Sequence, residues 1–254
     1  KAAFTFITIV VIPVLFFALL ELGLTIAGVG TSYDYFHEID INGEPYYQEN
    51  PDFADQFYPS SLNIGPLENT IAIERDPELV RVFILGGSAA LGFPHKNHGV
   101  DRLLEAQLRA ALPSRRVEVV NLAMTSVNSH VMYAVAQSIP GDSADFAVIL
   151  MGNNEVVGPY GPGTFNQNFL TNISVIRGLQ ALHRTRIWQA LSGLVLQIRP
   201  TDAMQELEWE GMQMFTNNGG PHDDPRMQGV YSHYEDNLTD IIETLRSKGM
   251  QILV

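Results

Sequence analysis

The sequence predicts an α/β protein, a parallel sheet covered by helices in a three-layer fold, preceded by a single transmembrane helix. Three observations predict it. Continuous apolar runs with strand character stand at Val80–Leu85, Val117–Val120 and Phe146–Met151. Helical patterns separate them, and strands that are apolar throughout, joined by helices, belong to parallel sheets buried on both faces. The third is an N-terminal run without a charge from Ala2 to Leu20, resuming after Glu21 as far as Ala27.

That N-terminal run is long enough to cross a hydrocarbon core, which takes roughly 20 apolar residues in a helix. Phe4, Ile7, Val11, Leu15 and Leu19 lie among apolar neighbours on every face, and Pro13 is tolerable in such a span. A signal peptide has a shorter apolar region and a small-residue cleavage site, so a retained span is expected over residues 1–28. Lys1, the one positive charge near it, places the N-terminus inside and the remainder outside the cytoplasm. Residues 29–78 read as a tether and lead-in, rich in Tyr, Asp, Asn, Pro and Ser without a sustained period. Residues 79–254 form the main domain. Within it, helices are expected over Val100–Leu112, Val127–Ile139, Ile173–Ile198, Ala203–Phe215 and Gln228–Lys248, and a last strand starts at Gln251. Ile173 to Phe215 make up an insertion at about 172–216. Leu179, Leu182, Ile187, Trp188, Leu191, Leu194, Val195 and Leu196 give it a broad apolar stripe, beside Arg177, His183, Arg184 and Arg186. A cap packed on the sheet is expected, with a docking face for membrane or partner as the alternative.

Composition narrows the chemistry. The chain has 254 residues, 28 acidic against 15 basic, and a net charge of −13. Lys1 and Glu21 cancel, so all of it falls on residues 31–254. No nucleic acid partner is expected, because a binder must neutralise phosphates. The absence of cysteine excludes a disulfide framework, Cys-ligated metals and a thiol nucleophile.

In parallel α/β folds, chemistry lies at the carboxyl ends of the strands. The first strand runs into Gly86-Gly87-Ser88-Ala89-Ala90-Leu91-Gly92. Gly87 to Gly92 has the glycine spacing of a phosphate loop, but Phe93-Pro94 stands where Lys-Ser/Thr is required. Gly86-x-Ser88-x-Ala90 approaches a nucleophile elbow, a motif that normally follows several strands; here an irregular stretch of about fifty residues precedes it. The third reading is a nucleophilic serine directly after the first strand. The second strand ends in Asn121-Leu122-Ala123-Met124-Thr125, with Asn128-Ser129 beyond, and the third in Gly152-Asn153-Asn154-Glu155, with Gly158-Pro159 beyond.

Together these three blocks, in this order, closely resemble the SGNH (GDSL-type) hydrolase and acyltransferase superfamily, in the branch with G-G-S-x-A-x-G-F-P, N-L-A-M-T-x-x-N-S and G-x-N-E-x-x-G-P motifs. The resemblance covers about residues 78–254 and implies a flavodoxin-like three-layer fold. It implies Ser88 as nucleophile, and an oxyanion hole from the Ser88 and Ala123 backbone N–H groups and the Asn154 side-chain amide. Gly86, Gly87, Gly152 and Glu155 would support the loops. Many family members have Gly in place of Ala123 and Asp in place of Glu155; a carboxylate at the second position orders the loop. No cofactor and no metal are expected. Gly141-Asp142-Ser143 spells the family's nickname but precedes a strand and reads as a turn. Asp34 and His37 have the spacing of the family's Asp-x-x-His, far from its place.

That Asp-x-x-His follows the final strand in the family. The sequence ends at Val254 within such a strand, so the chain is expected to continue. His95 and His98 follow the nucleophile loop and read as solvated, His222 as part of a polar turn, and His233 as lying on a helix surface. Two functions are expected. One is a membrane-anchored ester hydrolase or acyltransferase acting outside the cytoplasm on an acylated glycan, lipid or small ester. The alternative is a catalytically silent subunit of a larger integral-membrane assembly. A carbohydrate-binding module using the same pocket is a third reading.

Overall fold

A computed structural model of the chain describes residues 1–59, 62, 64–162, 172–198 and 223–254. The chain divides into two units, Lys1–Tyr33 with Ser174–Glu206, and Asp34–Ile173 with Leu207–Val254.

In the first unit, α1 (Ala2–Phe6) runs through a π-helical turn (Ile7–Val11) into α2 (Ile12–Ile26). The Ile12 N–H bonds to the Ile7 carbonyl, five residues back. Pro13 follows directly. It has no N–H, and its ring crowds the carbonyl four residues earlier, so the wider turn relieves the helix where proline would break it. Phe4–Ile26 is long and apolar enough to cross a membrane, and its apolar side chains are exposed. The same unit holds α6 (Ile173–His183) and α7 (Arg186–Ile198). One continuous helix is expected there from sequence. It divides because Thr185 caps α7, its Oγ1 accepting the Trp188 N–H at 3.2 Å. These helices group with the apolar N-terminal helix. The helix expected over Ala203–Phe215, the end of the loop after Pro162, and His222 lie outside the described residues.

The second unit begins with residues expected to be irregular. They form β1 (Phe36–Ile41), β2 (Glu44–Glu49) and β3 (Thr70–Ala72), an antiparallel sheet in the order β1-β2-β3. Asn42 and Gly43, both at positive φ, make the two-residue turn between β1 and β2. Tyr35, Phe36, Phe53 and Ile71 are buried in the main core, so this segment is part of the body and not a tether.

The main sheet contains β4 (Leu79–Gly86), β5 (Arg116–Asn121), β6 (Phe146–Leu150) and β7 (Gln251–Leu253). The order is β5-β4-β6-β7, with every pairing parallel. Strand alternation sends Phe83 and Leu85 to one face, where they join residues of α5 (Ser129–Ser138) and α8 (Pro225–Ser247). Val82 and Ile84 face the other side, against Leu104 and Leu108 of α4 (Val100–Ala111). These are the three layers. From β4 the chain leaves toward one face through α4; the helix that leads from β6 to β7 covers the opposite face. Adjacent strands whose connections diverge leave a crevice at their carboxyl ends, and the β4–β6 boundary is such a place.

Candidate active site

Ser88 opens the short helix α3 (Ser88–Leu91) immediately beyond β4 and is half-buried. Its carbonyl accepts the N–H groups of Gly92 and Phe93 at 3.1 and 3.0 Å, which closes the turn. The turn is tight because Gly86 has no side chain: a Cβ there would lie 2.1 Å from the Leu150 carbonyl oxygen of β6 and 2.8 Å from the Ala90 Cβ. A hydrogen atom is all that the approach of the two strand ends admits.

The block after β6 comes to the same place. The Asn154 side chain is buried, and its Nδ2 lies 3.0 Å from where a Cβ on Gly87 would be. Nδ2 donates to the Val127 carbonyl at 3.0 Å, which engages one of its two hydrogens. Gly152 starts the loop at φ +118, a conformation that side chains rarely adopt. Glu155 is buried with both oxygens on Ser129, accepting its N–H at 2.9 Å and its hydroxyl at 2.6 Å. Burial raises the Glu155 carboxyl above its ordinary range, and the two bonds from Ser129 oppose the rise. This carboxylate ties the loop to the amino end of α5.

The block after β5 continues along β4. Leu122 N–H donates to Ile84 O at 2.8 Å and Met124 N–H to Gly86 O at 3.2 Å. Ala123, between them, packs in the same cluster as Ala90 and Leu91. Its own N–H donates to Asn121 Oδ1 at 3.1 Å, so an oxyanion would have to compete with Asn121 for it. Asn121 is itself held by Nδ2, which donates to Ala90 O at 3.0 Å and Asp101 Oδ1 at 2.9 Å. Ser88, Ala123 and Asn154, chosen from sequence, therefore sit on three loops at one end of the sheet.

Residues not selected from sequence hold the second block in place. Tyr35 OH bonds to Leu122 O and to Glu49 Oε1, each at 3.1 Å. Asn69 donates through its backbone to Glu49 Oε2 at 2.8 Å, and through Nδ2 to Glu49 Oε1 at 3.1 Å and Asn121 O at 3.0 Å. Tyr58 OH donates to the carbonyl of Ser126, a residue at positive φ. Burial lifts the Glu49 carboxyl from 4.5 to about 7, against bonds from Asn69 and Tyr35 that favour the charged form. The folded state therefore retains a proton that the unfolded chain releases. Stability from this group is complete below pH 4.5 and is lost as pH rises through about 7. The expected loss is about 3 kcal/mol. Urea unfolding at stepped pH, compared between the native chain and Glu49→Gln, reads this difference; equal slopes in the two proteins would refute it.

The remaining sequence candidates fall elsewhere. His95 and His98 are exposed, their rings 5.9 Å apart on the loop beyond α3. The His37 ring lies 3.2 Å from Gln48 Oε1 across the small hairpin, and Asp142 occupies a turn at φ +54. His233 is not on a helix surface: it is 4% exposed, its ring 5.3 Å from that of His130. Asn237 Nδ2, one turn along α8, contacts Ser129 Oγ and His130 Nδ1, each at 3.0 Å. No group of three or more metal-ligating side chains occurs among the described residues.

A cavity of about 470 Å³ opens beside the strand ends, lined by Leu91 and Thr125 with Asp52, Asp55 and Glu68. Burial and the neighbouring Asp52 raise the Asp55 carboxyl. A larger one, of about 580 Å³, lies at the opposite end of the strands, against Leu79, Arg81 and Arg116.

No protein-family model matches the sequence, and no curated protein matches it either. Among solved structures, the chain is similar to AlinE4, described as an SGNH-hydrolase family esterase, at 14% identity and a TM-score of 0.29, over 70% of this chain and 77% of that one. It is also similar to an aspartate-to-alanine mutant of the same esterase, with the same identity and coverage and a TM-score of 0.28.

Proposed function

We propose that this chain is a membrane-anchored serine hydrolase or acyltransferase of the SGNH type, held by its N-terminal helix with the α/β body outside the cytoplasm. Ser88 Oγ attacks the acyl carbon of an ester and its proton passes to a base. The alcohol leaves, and water or a second alcohol takes the acyl group from the serine. The oxyanion of each tetrahedral intermediate is stabilised by the Ser88 N–H, the Asn154 amide and the Ala123 N–H. By the family resemblance the base is a histidine.

The observation that carries this reading is the position of the Asn154 amide against Gly87, next to the serine at the β4–β6 crevice. Three further points support it. The Ser88 N–H heads a helix, so no residue of α3 can accept it. Asn154 retains a second N–H beyond its bond to Val127. The cavity beside the strand ends is polar and carries three carboxylates, which suits the hydroxyls of a neutral glycan or other polyol better than an anionic headgroup.

A fluorophosphonate probe tests the assignment, because it forms a covalent adduct only with an activated serine. The full-length protein is expected to be labelled, and Ser88→Ala is expected not to be. Absence of labelling in the native protein, with stable co-purification in a membrane complex, would instead identify a silent subunit.

A further inference from the structure

We infer that α7 is an interfacial helix, whose Trp188, Leu191, Leu194 and Val195 face lies in the headgroup–acyl boundary of the bilayer crossed by the N-terminal helix. The inference rests on the membrane anchoring proposed above and adds a second lipid contact to it.

The four residues recur at i, i+3, i+6 and i+7, which places them on one face of a helix. They are 38%, 55%, 56% and 52% exposed. Exposed apolar surface of this extent on one helix face marks an interaction site. What covers it follows from how α7 is attached. Glu21 is the one carboxylate in residues 1–30, and such a group in an apolar segment is costly unless paired. Its Oε1 accepts the Arg186 N–H at 2.6 Å and its Oε2 the Ile187 N–H at 3.0 Å. With the Thr185 hydroxyl on Trp188 N–H, the first three N–H groups of α7 are satisfied, and the carboxylate meets the positive end of the helix. Gln189 adds a reciprocal pair with Thr31, accepting its N–H at 2.8 Å and donating to its carbonyl at 3.1 Å.

These bonds fix the depth of α7 relative to the span. Glu21 lies five residues before Ile26, where α2 ends. At about 1.5 Å per residue that is roughly 7–8 Å below the end of the helix. Interfacial helices sit about 5–10 Å into the headgroup–acyl boundary, so a helix beginning at Glu21 starts at the depth its apolar face requires. Charge agrees with this position. Residues 172–198 contain Arg177, Arg184 and Arg186 and no carboxylate, in a chain of net charge −13. A segment whose only charges are positive suits a bilayer surface that carries anionic headgroups. Trp188, stacked on the His183 ring at a centroid distance of 5.0 Å, is of the residue type enriched at that level.

The chain has two tryptophans, so Trp209→Phe leaves Trp188 as the single reporter. The full chain carrying this substitution is reconstituted in vesicles of phosphatidylcholine and phosphatidylglycerol. Trp188 emission is expected to be quenched about twofold more by nitroxide lipid labelled near the headgroup than by lipid labelled at the acyl terminus, and to be protected from iodide. In the same background, Leu191→Glu with Leu194→Glu is expected to restore iodide access while the chain stays resistant to alkaline extraction. Two outcomes overturn the inference and leave the anchor standing, both with the chain resistant to extraction. In one, Trp188 is quenched by iodide and by neither lipid. In the other, Trp188 is shielded from all three quenchers, which would make a protein the occupant of the face. Extraction of the native chain at alkaline pH would remove the anchoring itself, and this inference with it.

Discussion

Asn154→Ala is expected to lower ester turnover by the full-length protein about 10²–10³-fold, equivalent to about 3–4 kcal/mol of transition-state stabilisation. The three proposed oxyanion donors are not equal. The Ala123 N–H is already bonded to Asn121 Oδ1, and that bond must be given up before it serves a new acceptor. Asn154 differs, since one amide hydrogen is held by Val127 and the second is left for the reaction. The held hydrogen fixes the side chain, so donation to the oxyanion needs little reorganisation. The same substitution removes the Val127 bond, which is worth about 1 kcal/mol of stability. Thermal unfolding therefore separates the two effects: a small fall in midpoint with a large fall in kcat supports the catalytic role. A fall in kcat below about tenfold would make Asn154 a loop residue and leave the oxyanion hole unsupported.

The parallel sheet was readable because its strands are buried on both faces, and such strands are apolar without interruption. Val80–Leu85, Val117–Val120 and Phe146–Met151 each coincide with β4, β5 and β6 to within a residue at either end. The small sheet was not readable in the same way. β2 is Glu-Pro-Tyr-Tyr-Gln-Glu, without the apolar–polar alternation that marks a strand, and β3 has only three residues. One signal was present: Asn42-Gly43 between two short runs is a strong mark of a hairpin, since both residues tolerate positive φ. His233 illustrates a second limit. Val230, His233, Asn237, Ile241 and Leu245 form the buried stripe of α8, but a pattern read by hydrophobicity assigns His and Asn to the surface. Asn237 is inside because it meets Ser129 and His130, and His233 packs against the His130 ring, facts of tertiary structure that no single helix contains. Glu21 has the same character. In sequence it is a blemish in an apolar run, and only the amino end of α7 gives it a partner.

At the candidate site, legibility followed chemistry. Ser88 and Asn154 could be selected because glycines mark the sharp turns after β4 and β6, where the proposed nucleophile and oxyanion donor stand. Tyr35, Tyr58 and Asn69 were hidden because they bond to backbone carbonyls of the second block, with Glu49 holding Tyr35 and Asn69 behind them, and a bond to a carbonyl leaves no motif. If Ala123 serves as proposed, they position it, and their removal should disturb it through the loop.

Arg81→Ala is expected to destabilise the fold by about 3–5 kcal/mol, a large share of the roughly 5–15 kcal/mol that holds a domain together. The side chain is 2% exposed, yet it is a guanidinium near the amino end of the central strand β4. Its Nε donates to Glu118 Oε2 of β5 at 2.6 Å. One terminal nitrogen donates to the Ser143 carbonyl at 3.0 Å and to the Ala72 carbonyl of β3 at 3.2 Å. One guanidinium thus joins β4 to β5, to the turn before β6 and to the small sheet. Truncation strands two carbonyls and leaves Glu118 without its partner. Glu118 is partly solvated and can be rehydrated, which places the cost toward the lower end. Arg81→Lys should recover part of it, since an ammonium keeps the charge without the fork that serves three acceptors. Hydrogen exchange locates the effect: amides of the β2–β3 ladder, such as those near Tyr47 and Ile71, should open before the parallel strands do. Because Arg81 is at the amino end of β4 and Ser88 lies beyond its carboxyl end, turnover per folded molecule should stay near that of the native protein. Asn154→Ala should show the reverse, a stable fold with little turnover. A change below about 1 kcal/mol in Arg81→Ala would mean that the small sheet is held by its apolar core alone, through Phe36, Phe53 and Ile71.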